Sequence, residues 1–325
     1  MSRSFRPRVV RLAAGLAALA LVAACGSGED PDTTAAAATA PAGGFPVTVE
    51  SCGHEATFDK APGRVVLGWG TSIRTLEALG VADRVTGYVS GSNVGLPDGF
   101  TAKEVSPDFQ PAREAVLAAA PDLFLANDEN QVSGEEGTAT VADLDGRAYV
   151  LGNYCLKNPA PATIDVVYQD VRNLGAIFGV PDKADAVVAD LTRRVTAAAA
   201  RRRSAPQAKV ALVQIYDGKV YALSGSYYNA ILQGAGMTNV FAGIGENFAE
   251  VSAEQVLTSA PDGLFVAYDE PNGDAAAVQA ARSAFAATPA VRNGTVFGIN
   301  NAEISGGGVN IVALIEQTAG QLYGS

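Results

Sequence analysis

The sequence predicts an α/β protein built as two similar lobes, and three observations carry that expectation. Short β-branched runs alternate with Ala- and Leu-rich stretches along the chain, as parallel strands covered by helices require. The alternation occurs twice, on either side of a helix-rich segment at 163–204. One helix-turn-strand unit is also nearly repeated. Ala112-Arg113-Glu114-Ala115-Val116-Leu117-Ala118-Ala119-Ala120-Pro121-Asp122 leads into Leu123-Phe124-Leu125, and Ser252-Ala253-Glu254-Gln255-Val256-Leu257-Thr258-Ser259-Ala260-Pro261-Asp262 leads into Gly263-Leu264-Phe265-Val266.

Arg3, Arg6, Arg8 and Arg11 precede an apolar run from Leu12 to Ala24. Leu21-Val22-Ala23-Ala24-Cys25 resembles a bacterial lipobox, because small residues stand directly before a cysteine. Residues 1–24 therefore read as a signal peptide and Cys25 as the lipid attachment residue. The apolar run has 13 residues, short of the roughly 20 that span a bilayer. An acylated cysteine tethers without spanning; an ordinary secretory peptide with an incidental Cys25 is the alternative. Residues 25–44, mostly Gly, Ser, Ala, Pro, Thr and Asp, hold nothing large enough for a core and read as a flexible tether with a reach of roughly 20–25 Å.

The body divides into an N-terminal lobe at 45–162, a connecting helical segment at 163–204 and a C-terminal lobe at 205–325. In the first lobe, 64–69 reads as a strand, 72–79 as a helix stopped by Gly80, 84–88 as a strand, 111–119 as a helix, and 122–126 and 148–151 as strands. The connector reads as helix over 163–178 and again over 182–203, broken at Gly179-Val180-Pro181. Its second half is a strong helix former. Arg201, Arg202 and Arg203 suit a helix C-terminus, where cations meet the negative end of the dipole. In the second lobe, 209–216, 262–267 and 295–299 read as strands and 228–234, 253–259, 275–286 and 309–323 as helices.

The formal charge is −11 and becomes −15 once the four arginines of residues 1–24 are removed, which argues against nucleic-acid binding. Cys52 and Cys155 are the cysteines other than Cys25. In an exported chain a leftover pair is most simply a disulfide, with two buried free thiols as the alternative.

The order of Phe45-Pro46-Val47-Thr48-Val49, Ala61-Pro62-Gly63-Arg64-Val65-Val66, Leu76-Glu77-Ala78-Leu79-Gly80, the repeated pair and Thr288-Pro289-Ala290-Val291-Arg292-Asn293-Gly294-Thr295-Val296 resembles the iron-siderophore and cobalamin class of substrate-binding proteins of ABC importers. The resemblance covers essentially the whole body. It implies two Rossmann-like lobes joined by one long, rigid helix, a ligand cleft between them and little hinge closure. It implies a monomer, anchored by lipid on the outer face of the cell membrane, that delivers a small molecule to an ABC permease dimer driven by a cytoplasmic ATPase. It also implies a surface glutamate on each lobe that docks the permease, and these fall on Glu114 and Glu254. A favourable helix N-terminal position could explain both acids without docking.

Ligands of open α/β sheets lie beyond the C-terminal ends of strands. On that ground the candidate ligand-binding residues are Trp69, Tyr88, Asn127, Asp128 and Glu129 in the first lobe. In the second they are Tyr216, Tyr227, Tyr228, Phe248, Tyr268 and Glu303, rich in rings that give area and hydroxyls that give orientation. The alternative for Trp69 is a core position. Arg74 departs from the resemblance, whose members often carry a glutamate or a small polar residue near the start of that helix. An arginine there could pair with carboxylate, catecholate or phosphate on a ligand, so an anionic ferric siderophore is favoured; an exposed helix arginine is the alternative. Cobalamin ranks second because the chain has one tryptophan, and haem third because its single histidine, His54, belongs to a peripheral strand. The adjacent Tyr227 and Tyr228, read as strand residues, would point to opposite faces, so no metal site is expected. No cofactor is called for, and no HExxH, G-x-S-x-G or P-loop pattern supports an enzyme. A non-transport cell-surface lipoprotein is the remaining class.

Overall fold

A computed structural model describes residues 44–92, 95–97, 99–155, 163–269 and 273–324. The signal peptide, Cys25 and the tether up to residue 43 lie outside the described residues. Among the described residues no helix is long and apolar enough to cross a membrane.

The first lobe opens with an antiparallel hairpin, β1 (Val47–Ser51) and β2 (His54–Phe58). Five parallel strands follow: β3 (Val65–Leu67), β4 (Val85–Val89), β5 (Lys103–Ser106), β6 (Leu123–Ala126) and β7 (Ala148–Val150), in the order β5-β4-β3-β6-β7. β3, β6 and β7 are buried throughout, which explains why they read as unbroken apolar runs rather than alternating ones. Helices α1 (Ile73–Leu79) and α2 (Arg113–Ala119) lie in the crossovers. Gly80 ends α1 in the left-handed conformation at φ 76°, where glycine carries no Cβ penalty. The turn of the hairpin is fixed to the end of β7: Cys52 is bonded to Cys155 with Cα atoms 5.1 Å apart, and Ser51 Oγ accepts from Val150 N at 2.8 Å.

The connector folds as two helices, α3 (Asp165–Ile177) and α4 (Pro181–Ala200), broken where Gly179 takes φ 71°. Proline at the first position of α4 suits a helix start. α4 is the long one, 20 residues and so about 30 Å. It packs against α1 of the first lobe and against α5 (Ser226–Gly234) and α10 (Asn310–Tyr323) of the second.

The second lobe corrects the expectation of purely parallel sheets. Its strands are β8 (Lys209–Tyr216), β9 (Lys219–Leu223), β10 (Thr238–Asn239), β11 (Phe248–Val251), β12 (Gly263–Tyr268) and β13 (Val296–Asn300), ordered β11-β9-β8-β12-β13 with β10 beside β8. β8, β12 and β13 run parallel, whereas β9 is antiparallel to both β8 and β11. The cause is local: Asp217 and Gly218 take φ 49° and 72°, the two positive angles of a tight hairpin turn whose twist matches the strands. The remaining helices are α6 (Ala253–Ser259), α7 (Gly273–Ala284), α8 (Pro289–Asn293) and α9 (Asn301–Ser305).

The repeated unit is a repeat in three dimensions. Ala120 and Ala260 end α2 and α6 in the same left-handed conformation, at φ 45° in both. Asp122 N donates to Arg64 O at 2.8 Å and Asp262 N to Lys209 O at 2.7 Å. Each carboxylate closes the clip by accepting a backbone N–H from the chain entering the neighbouring strand, Gly63 N at 3.2 Å and Lys209 N at 2.9 Å. One apolar core runs without interruption from Val47 and Leu67 through α3 and α4 to Leu212, Ile231 and Ile315, while each sheet covers a smaller core on its other face.

Candidate functional site

The C-terminal ends of the two sheets are turned towards each other, and the segment leaving β13 crosses between them. Asn127, which follows β6, donates from Nδ2 to Ser305 O at 3.2 Å and accepts from Gly307 N at 3.1 Å. Trp69, which follows β3, donates from Nε1 to Ala302 O at 3.3 Å. Thr75 Oγ1 on α1 accepts from Val309 N at 3.2 Å.

Three glycines let this strap lie flat. A Cβ on Gly306 would overlap Thr71 Oγ1 and stand 2.6 Å from Trp69 Nε1; one on Gly307 would overlap the Tyr227 hydroxyl and stand 2.7 Å from Leu151 Cδ1. Gly308 combines φ 96° with contact on Thr75, a pairing of angle and proximity that no other residue tolerates cheaply. The run Gly306-Gly307-Gly308 is the one sequence signal of this close approach, and its partners lie between 80 and more than 230 residues away.

Arg74 and Glu303 form a bidentate pair across the lobes, at 2.6 and 2.8 Å. The two candidate binding residues thus hold each other, with the guanidinium 36% and the carboxylate 20% exposed. Glu303 is seated from both sides: its N–H donates to Asn300 Oδ1 at 3.2 Å, the side-chain cap of α9, and its carbonyl accepts from Asn310 Nδ2 at 3.0 Å.

Trp69 is half-buried and meets Phe109 edge-on at 5.5 Å. Gln131, fully buried, pins the loops behind it, with Nε2 donating to Gly68 O at 2.9 Å and Phe109 O at 2.8 Å while Oε1 accepts from Asn127 N at 2.9 Å. Asp128 caps the turn that follows β6 by accepting from Asn130 N, and burial raises its pKa; Glu129 begins that turn.

The other candidates scatter. Tyr88 is turned onto the sheet face, 6.1 Å from Phe100, rather than beyond a strand end. Tyr216, the last residue of β8, is 64% exposed. Tyr268 ends β12 half-buried, its ring close over Gly298. Phe248 pairs with Leu223, at the far end of β9 from the turn and about 13 Å along the strand from the Tyr216 end; it is 44% exposed and stacked on Tyr221 at 4.6 Å.

Tyr227 and Tyr228 are not adjacent strand residues: the helix expected from residue 228 begins at Ser226 and takes in both. They sit in the first turn of α5, both buried, because Gly225 and Ser226 turn the chain into a helix there, Ser226 at φ 47°. The Tyr228 hydroxyl lies 3.2 Å from Ser305 Oγ, and Tyr227 meets Tyr154 edge-on at 5.7 Å. Beneath them Asp170 of α3, fully buried, accepts from the Tyr149 hydroxyl at 2.7 Å and from Gly152 N at 3.1 Å. Burial pushes its pKa up to about 7, against the opposing pull of Tyr149, Gly152 and Tyr227.

Glu114 and Glu254 occupy the same position, second in α2 and second in α6, and both are exposed. α6 is already capped by Ser252 and Gln255, so Glu254 is not its cap. The neighbour of Glu114, Arg113, is held by Asp143 in two bonds of 3.0 and 2.6 Å. α6 follows the C-terminal end of β11 directly, and α2 follows the loop that leaves β5. Each acid therefore lies at the end of its lobe to which the parallel strands point.

The crystal structure of an ABC-type Fe3+-hydroxamate transport system from Saccharomonospora viridis is 26% identical to this chain, with a TM-score of 0.70 and coverage of 86% of this chain and 100% of that one. A periplasmic heme-binding protein from Pseudomonas aeruginosa, 23% identical, matches with a TM-score of 0.63 over 81% of this chain and 94% of its own. The vitamin B12 binding protein BtuF of Vibrio cholerae, 19% identical, matches with a TM-score of 0.64 over 80% and 96%. The last two show a shared fold alone. No curated protein matches by sequence. The family model described as periplasmic binding protein matches residues 65–302, most of the body and both lobes, and the chain belongs to that family of transport-associated ligand binders rather than to the enzymes.

Proposed function

We propose that this protein is the extracytoplasmic receptor of an ABC importer, anchored by a lipid on Cys25, and that it captures a ferric siderophore and hands it to the permease. The observation that carries the reading is the similarity to the Fe3+-hydroxamate transport protein over the whole of that chain. The cargo iron would arrive already chelated: among the described residues no three His, Cys, Asp or Glu side chains converge to hold a bare ion. The ligand would sit between the facing strand ends, against Trp69 and Phe109 on one side and Tyr216 and Tyr268 on the other, where rings offer area to an organic chelate.

Glu114 and Glu254 suit permease docking, since both are exposed at equivalent places and neither carboxylate is a helix cap. Replacing both by alanine abolishes uptake and leaves ligand affinity intact; a loss of affinity would place them on the wrong surface.

The test is a titration of the sole tryptophan, Trp69, by its fluorescence, with ferric hydroxamate, catecholate and citrate complexes, cobalamin and haem. Inner-filter controls and calorimetry on Trp69→Phe accompany it, because the ligands absorb light. Saturable binding of a ferric chelate supports the proposal. Binding of cobalamin or haem instead, or of nothing in the panel, defeats it.

A further inference from the structure

Among the described residues the cations at the mouth of the cleft are all engaged. Following the strand ends round both lobes, the described cationic side chains are Arg74 after β3, Arg113 at the start of α2 and Lys219 after β8. Arg74 is bound to Glu303, Arg113 to Asp143, and Lys219 to Glu250 at 2.8 Å. The acids at the same end are more numerous: Asp108 after β5, Asp128 and Glu129 after β6, Asp217 in the β8–β9 turn and Asp269 after β12. Among the described residues Asp269 is supported by neutral amides, accepting from Gln214 Nε2 and Asn301 Nδ2, both at 2.9 Å. A positive group free to meet a ligand anion is absent among these described residues, and the surrounding field is negative.

We infer that Glu303 is a specificity-determining residue: by holding Arg74 in a bidentate pair across the lobes, it restricts the cleft to chelates without net negative charge. This rests on the ferric-siderophore reading and narrows it. Three singly deprotonated hydroxamates cancel the charge of Fe3+, giving a neutral complex, whereas three doubly deprotonated catecholates leave a trianion. A trianion approaching this cleft meets carboxylates first, and reaches the arginine only by parting it from a carboxylate whose backbone is held in place by two contacts, one of them the cap of α9. An interface of like charge is a means of rejecting wrong ligands as much as a lack of attraction to them.

The pair is read with two probes on the full chain, ferrichrome as the neutral chelate and ferric enterobactin as the anionic one. The wild-type protein binds ferrichrome more tightly by roughly tenfold or more. Glu303→Gln keeps a hydrogen-bond acceptor beside Arg74 and removes the charge; it raises affinity for ferric enterobactin about tenfold, and the gain shrinks in high salt. Affinity for ferrichrome changes by less than affinity for ferric enterobactin does. The double variant Arg74→Gln/Glu303→Gln restores the wild-type preference, which separates charge from a merely structural effect of the substitution.

Each other outcome is decisive. If Glu303→Gln leaves the affinity for ferric enterobactin unchanged, or if the wild-type protein prefers the anionic chelate, the inference is wrong and the receptor reading stands. If neither probe binds the wild-type protein, the inference fails, and the receptor reading is decided separately by the wider ligand panel.

Discussion

Substitution of Gly306 tests the joint between the lobes at one atom. Its backbone is ordinary, with φ −86° and ψ 138°, so alanine carries no conformational penalty there and any cost is steric. The new methyl would overlap Thr71 Oγ1, which is fully buried, and stand 2.6 and 2.8 Å from Nε1 and Cδ1 of Trp69. Overpacking of this kind costs about 1–3 kcal/mol, and losing the Trp69–Ala302 hydrogen bond adds about 1 kcal/mol. For a body of this size the sum corresponds to a fall in Tm of roughly 3–7 °C. The assay is thermal unfolding followed by the emission of Trp69, whose indole moves towards water and shifts to the red. Gly243→Ala is the control, since no atom lies within 4 Å of a Cβ there and its φ is not positive; it should leave Tm unchanged. If Gly306→Ala melts and emits like the control, the strap does not lie against the first lobe as described.

Gln131→Ala leaves the Phe109 carbonyl and the Asn127 N–H unpaired and takes one hydrogen bond from the Gly68 carbonyl, at about 1–3 kcal/mol for each buried group left unpaired; urea unfolding at an unchanged m value measures the loss. Asp170 holds its proton more tightly folded than unfolded, with a pKa of about 7 against an ordinary 3.8. Its contribution to stability is therefore full below about pH 4, declines as pH rises, and is gone above about pH 7, on the order of 4 kcal/mol in all. Asp170→Asn should flatten the stability profile between those limits, and a wild-type slope retained in the variant would remove Asp170 from the account. Reduction of the Cys52–Cys155 bond opens a loop of 103 residues and should destabilise by about 4–5 kcal/mol in the chain-entropy model; a Cys52→Ser/Cys155→Ser variant as stable as the oxidised protein contradicts that.

The alternation of strands and helices was legible because burial on both faces leaves β3, β6 and β7 as apolar runs. The near repeat at 112–125 and 252–266 was legible too, down to the Ala-Pro-Asp turn that both lobes use as a clip. Among the elements missed, two show different reasons. The Lys219–Leu223 strand was announced by Asp217-Gly218, a strong hairpin signal, and only the assumption of parallel strands hid it. The segment at 103–106 is short and half polar, so its strand state comes from pairing with β4 rather than from its own composition. At the cleft, the sequence offered Arg74 and Glu303 as separate candidates. Their pairing spans 229 positions, and no local pattern reports a charge on the opposite lobe. The helix expected over 228–234 was legible, and only its start was set late, because Ser226 turns the chain into the helix and brings Tyr227 into its first turn.

The continuous apolar core has a consequence for dissection. Val47, Leu67 and Leu125 belong to the same packed body as Leu212, Ile231 and Ile315, with α3 and α4 between them. A gene fragment ending at either side of the connector would leave one face of that body bare to water, so neither half is a self-sufficient folding unit. The two halves, cut at the connector and produced together, would instead find each other as complementing fragments, and the intact chain unfolds as one cooperative block although its strands are gathered in two sheets.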